Sequence, residues 1–210
     1  MDLLMRFSAS QMRRWVFNLL LCLLVVCASL VLPPFARPAQ AIGPIVVTTT
    51  SLADDPADGA CSLYEALEAA FLQQTNGLAS QPYHECIDGA GPTTITFGGN
   101  AVGGVIKITP ERYPLPMINK AVNIIGPVTI SGSGAPAQLP SAQSYDTRLF
   151  WLADGGILTL TALTLKDGYS SGFGGAIYSQ GKVTVSNSTI SGNSAGNRGG
   201  GIYNLGTLTV

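Results

Sequence analysis

A 25-residue period runs through the C-terminal part of the chain and constrains its fold more than any other feature. Set in rows of that length, Gly156, Gly181 and Gly206 align, as do Leu158 with Val183 and Leu208, and Leu160 with Val185 and Val210. Leu152 aligns with Ile177 and Ile202, Leu165 with Ile190, Tyr178 with Tyr203, and Gly174 with Gly199. A fixed period of this size means stacked supersecondary units, each covering its neighbour's apolar face. Inside a row the pattern alternates with period two, as in Gly156-Ile157-Leu158-Thr159-Leu160, which marks strands. A row is too short to hold a crossover helix of a dozen residues as well. The expected fold is therefore all-β, a parallel β-helix with one 25-residue row per coil.

This reading assigns roles to columns. Leu158, Val183 and Leu208 should form an inward stack, with equivalent residues about 4.8 Å apart. Gly168 aligns with Asn193, and both are expected at left-handed corners with positive φ. Thr159, Thr184 and Thr209 should face outward between the buried positions, as should Thr164 and Thr189. Threonine ladders of this kind order water or contact sugars, although threonine is also simply what an exposed strand uses. Thr159 and Thr184, with Tyr178 and Tyr203 beside them, are the candidate ligand-binding residues, the tyrosines as stacking surfaces for sugar or as corner packing.

Composition agrees with a solenoid and excludes other classes. Only 11% of residues are charged, against about 25% in ordinary soluble domains. Of 25 glycines, 13 fall in residues 151–210. With 11 basic residues against 12 acidic ones, no nucleic-acid partner is expected. The C-terminal half is rich in Gly, Thr, Ser, Val and Ile, which a helical bundle would not use.

The first 41 residues read as a signal peptide. Arg6, Arg13 and Arg14 precede an apolar run from Trp15 to Leu32, Pro33 and Pro34 end it, and Ala39-Gln40-Ala41 is a small-residue cleavage site. Contact with a membrane is expected only through this segment, if it stays uncleaved. The mature chain keeps seven basic and eleven acidic residues, a net charge of about −4. It also keeps two cysteines, Cys61 and Cys86, and an exported chain with an even pair suggests one disulfide, contributing roughly 3 kcal/mol.

Residues 42–98 read as an N-terminal cap and residues 99–210 as the coils, truncated at the C-terminus. In the cap, Ile45 to Thr50 reads as a strand. Ser62-Leu63-Tyr64-Glu65 is a capping box, and Leu63, Leu67, Ala70 and Phe71 give a helical stripe to about Gln73. Asp54, Asp58 and Glu65 have the spacing of a calcium loop, but Pro56 stands where a ligand is needed and the capping box already accounts for Glu65. An acidic turn with a helix cap is the favoured reading, so no metal or other cofactor is expected.

Cys61-Ser62-Leu63-Tyr64-Glu65-Ala66-Leu67 resembles the Cys-Ser-Leu-Arg-Glu-Ala box of a family of exported proteins, the CSLREA-domain family, with Tyr64 where that family usually has Arg. The resemblance implies a right-handed parallel β-helix of the pectin-lyase-like kind after the box, and a secreted or cell-surface location. It implies no defined reaction. Gly174-Gly175-Ala176-Ile177 and Gly199-Gly200-Gly201-Ile202 are also similar to the Gly-Gly-Ala-Ile repeats of polymorphic outer-membrane proteins.

Folds of this kind host polysaccharide lyases and glycoside hydrolases, which need a carboxylate pair or a positioned base. Asp146, Asp154 and Asp167 do not align at the period, and Arg148 beside Asp146 reads as a surface ion pair. His84 is the only histidine. Residues 133–147 form a Pro/Ser/Ala/Gln loop of the kind that carries binding function, and Arg148–Leu152 is expected to resume the 25-residue register. The sequence therefore points to a structural, adhesive or ligand-presenting protein with no catalytic residue in this segment and a polysaccharide or surface glycan as partner. The alternative is a carbohydrate-active enzyme of the pectin-lyase-like fold.

Overall fold

Strands form where β-branched residues alternate with polar ones, and one helix forms where the capping box directs it. A computed structural model describes residues 43–55, 57–76, 83, 86, 93–109, 115–135 and 146–210. The expected signal segment, Pro56, His84 and residues 136–145 of the expected loop lie outside the described residues. Strand β1 (Ile45–Val47) is followed by helix α1 (Leu63–Asn76), β2 (Thr93–Phe97) and β3 (Val105–Lys107). Next come β4 (Ala121–Ser131), β5 (Phe150–Leu152), β6 (Ile157–Lys166) and β7 (Tyr169–Ser170). The chain ends in β8 (Ile177–Ser179), β9 (Lys182–Ser186), β10 (Thr189–Ser191), β11 (Ser194–Ala195), β12 (Ile202–Asn204) and β13 (Thr207–Thr209). Residues 41–210 make one compact unit.

Every pairing between these strands is parallel. The largest sheet runs β1-β2-β4-β6-β9-β13, with β3 beside β4 and β10 beside β6. Two smaller sheets run β5-β8-β12 and β7-β11. Among the described residues the fold is thus mostly β with one α-helix, its sheets parallel and not closed into a barrel. β1 and β2, which come from the expected cap region, belong to the same sheet as the repeating strands.

The period sets the register. Leu158 lies beside Val183 and Val183 beside Leu208; Leu160 lies beside Val185; Leu165 lies beside Ile190; Tyr178 lies beside Tyr203. Leu158, Leu160, Leu163, Leu165 and Val183 are buried together with Ile124 and Ile130 of β4. Burial of one such side chain stabilises the fold by roughly 1.5–3 kcal/mol. Leu208 pairs as expected but is 40% exposed, and Val210 is 87% exposed, so the inward column is covered only as far as β9.

Two expectations need correction. The first is the register of β5. Phe150, not Leu152, lies beside Ile177, and Leu152 lies beside Ser179. The offset here is 27 residues, whereas Ile157 and Lys182 just downstream return to 25. The cause is the turn after the strand: Ala153-Asp154-Gly155 before Gly156 is two residues longer than the lone Gln180 before Gly181.

The second concerns the corners. Neither Gly168 nor Asn193 has positive φ; the left-handed residues are their predecessors, Asp167 (φ 55) and Gly192 (φ 64). Asn193 has a different task. Its Oδ1 accepts the Gly168 N–H at 2.8 Å and its Nδ2 donates to the Leu165 carbonyl at 3.1 Å, so the side chain stitches one row to the row before. Gly168 is glycine for space, because a Cβ there would collide with the Gly175 carbonyl and press on that same asparagine oxygen. The left-handed positions do follow the period elsewhere: Ala162 (φ 58) precedes Asn187 (φ 49) by one row, and Gly174 (φ 68) precedes Gly199 (φ 67).

Candidate ligand-binding face

A chemically varied surface is built on the β5-β8-β12 sheet. Parallel pairing sets Trp151 beside Tyr178 and Tyr178 beside Tyr203. The two tyrosine rings stack at 5.8 Å between centroids with 16° between planes. Phe173 packs on Tyr203 at 4.7 Å, and Trp151 meets Tyr178 edge-on at 6.1 Å. Both tyrosines are half-buried and largely cover each other, while Trp151 keeps 39% of its surface exposed. Trp151 is therefore the aromatic best placed to meet a ligand. It was hidden in the sequence because the 25-residue alignment put it opposite glycine and alanine motifs rather than tyrosine.

Arg148 underlies this row. Its guanidinium carbon sits 5.7 Å from the Trp151 ring centre and 5.4 Å from that of Tyr178, within cation–π range. Its Nε donates to the Gly174 carbonyl at 3.1 Å, and its Nη2 donates to Asp146 Oδ2 at 3.0 Å and to Ser170 Oγ. Asp146 Oδ1 accepts the Arg148 backbone N–H at 3.0 Å, and Ser170 Oγ donates to Asp146 Oδ2 at 3.2 Å. The pair is not a surface ion pair, since the two side chains are only 12% and 10% exposed. Breaking such a buried pair on one side costs about 3–5 kcal/mol. A guanidinium and a carboxylate engaged in this way clamp the chain where it re-enters the sheet, with Asp146 bridging Ser170 and the Thr147 N–H bonded to the Tyr169 carbonyl.

The expected threonine columns are in place. Thr159 lies beside Thr184 and Thr184 beside Thr209 on the large sheet, half-buried except for the exposed Thr209. Round the corner of the same sheet, Thr129, Thr164 and Thr189 form another column. An open cleft of about 570 Å³ adjoins it, with Lys107, Ser131, Lys166 and Asp167 in its wall. Lys107 and Lys166 flank Ser131 in register, and Lys166 pairs with Asp167 at 3.5 Å while both remain well exposed. The period does not point to this cleft, because Lys107 lies on a strand outside the 25-residue rows.

The N-terminal residues are committed to structure. Cys61 and Cys86 form a disulfide, and both are buried. The capping box is complete: the Glu65 N–H donates to Ser62 Oγ at 3.1 Å and Glu65 Oε2 accepts the Ser62 N–H at 2.9 Å. Glu65 Oε1 accepts the Asp55 N–H at 3.1 Å, so this buried carboxylate ties the acidic turn to the helix. Asp58 accepts the Ala60 N–H, and Asp54 accepts the Tyr83 hydroxyl at 3.2 Å. Asp54, Asp58 and Glu65 are thus directed to different partners, and no group of three metal-ligating side chains occurs among the described residues. Burial, then the charge of Asp54 and its hydrogen bond, push the Tyr83 hydroxyl up to about 12; burial and Asp54 also raise Glu68.

Comparison with known protein families, with characterised proteins and with solved structures gives no match.

Proposed function

We propose that the chain is an exported right-handed parallel β-helix of the pectin-lyase-like kind, with a CSLREA-type box before its coils. It works outside the cell or at the cell surface as a structural, adhesive or ligand-presenting protein. The observation that carries this reading is the run of parallel pairs one 25-residue row apart through β6, β9 and β13, which a solenoid with inward aliphatics and outward threonines accounts for. The Cys61–Cys86 disulfide suits an oxidising compartment. The mutual engagement of Arg148 and Asp146 favours a clamp over a base, and the exposed Trp151 favours a glycan as partner.

Expression of the full chain in a host with a secretory pathway tests the proposal. The expected product outside the cytoplasm begins at Ile42, carries the disulfide on a non-reducing gel, and releases no reducing ends from acidic or neutral polysaccharides. A product retained in the cytoplasm would refute the export reading, and polysaccharide cleavage would refute the non-catalytic one.

A further inference from the structure

The large sheet carries an outward array that neither the aromatic row nor the clamp uses. Thr94, Asn123, Thr159, Thr184 and Thr209 stand side by side on β2, β4, β6, β9 and β13. Two residues further along the strands a second rank runs Ile125, Thr161, Ser186, and Thr96 follows the paired Ile95 on β2. The residues between the ranks, Ile95, Ile124, Leu160 and Val185, are buried, so the strands cannot rotate to rearrange the array. Parallel pairing fixes its mesh at about 4.8 Å across the strands and about 6.6 Å along them.

Both ranks are uncharged: they hold Thr, Ser, Asn and Ile, and Val46 on β1 continues the second rank beside Thr96. Threonine is stiff at χ1, so each presents a hydroxyl and a methyl group in a restricted geometry. Thr161 Oγ1 and Ser186 Oγ hydrogen-bond each other at 3.2 Å across adjacent strands. The hydroxyls of Thr94, Thr159, Thr184 and Thr209 have no protein partner among the described residues. Lys182 stands two residues before Thr184, at the margin of the array.

We propose that this face binds ice. A flexible glycan has no need of a two-dimensional mesh, whereas an ice surface repeats its oxygens in two dimensions at spacings close to these. Hydroxyls held on that mesh accept and donate into the lattice, while the methyl groups between them restrain the adjoining water without competing for its hydrogen bonds. Charged side chains would hold hydration shells of their own geometry, and the ranks have none. The neighbouring face carries more charge: its Thr129–Thr164–Thr189 column is followed by Lys107, Ser131, Lys166 and Ser191, two lysines against Lys182 alone in the rank Ala121, Ile157, Lys182 and Thr207 that precedes the array. Strand register and surface chemistry carry this assignment, whether or not the chain is exported.

The test is thermal hysteresis and ice-recrystallisation inhibition by the folded full chain, alongside Thr184→Lys, Thr184→Ser and Thr164→Lys. The wild type should halt ice growth below the melting point. Thr184→Lys should lose more than half of the hysteresis, Thr184→Ser should lose part of it with the methyl group, and Thr164→Lys on the charged face should behave as the wild type. Circular dichroism identifies any variant that fails to fold, and Thr184→Ser, which changes one methyl group, keeps the comparison decisive in that case. A folded wild type without hysteresis or recrystallisation inhibition overturns the proposal. So does equal loss in Thr184→Lys and Thr164→Lys, or adsorption to crystalline cellulose or chitin with no effect on ice.

Discussion

The N-terminal region and the repeating region reach order by different routes. Around α1, each tie is unique: one disulfide, one capping box, and one carboxylate, Glu65, bonded to two separate backbone N–H groups. In β6, β9 and β13 the same tie recurs at each row, so a residue of β9 is supported by its equivalents on both sides. A solenoid of this kind is stabilised by nearest neighbours. Damage to a repeating position should therefore spread to adjacent rows, while damage near α1 should stay local.

Val183→Asp should have the largest effect, because Val183 is fully buried between Leu158 and Leu208. An unpaired charge there should cost several kcal/mol, and hydrogen exchange should show loss of protection in β6 and β13 as well as β9. Loss confined to β9 would break the contrast between the two regions. Replacing both Cys61 and Cys86 by serine should cost roughly 3 kcal/mol, with exchange rising around α1 and β1 while β6 and β9 keep their protection. The smallest effect is expected from Glu68→Gln. The raised pKa of Glu68 means that the folded state favours its protonated form. Its ionisation therefore costs stability as pH rises above the usual carboxylate range. The variant should melt slightly higher than the wild type at neutral pH and equally at a pH where both are uncharged. A lower melting temperature at neutral pH would show that the charged form is favoured instead.

The same contrast explains what could be read from the chain. The columns of Leu158, Thr159 and Tyr178 were legible because a fixed row length repeats the same physical demand at the same place. The capping box was legible because it is a local pattern, although the helix runs on to Asn76, three residues beyond the end expected near Gln73. The 27-residue step at β5 was missed because an aliphatic match, Leu152 over Ile177, outweighed the aromatic match of Trp151 with Tyr178. Gly168 and Asn193 look like flexible turn residues in the sequence, which puts the expected left-handed corners one residue late. They serve close packing and side-chain stitching, and the left-handed conformation falls on Asp167 and Gly192. The Arg148 clamp looks like a surface pair in the sequence because nothing there places Ser170, Gly174 and Tyr178 around it.

The central claim is that residues one row apart lie side by side on parallel strands. Nitroxide labels at Thr159→Cys and Thr184→Cys, read by dipolar broadening in a chain whose Cys61–Cys86 bond is intact, test it most directly. The account predicts strong broadening from backbones about 4.8 Å apart, and clearly weaker broadening for labels at 159 and 209, two strands apart. Equal broadening in both pairs, or none in the first, would contradict it.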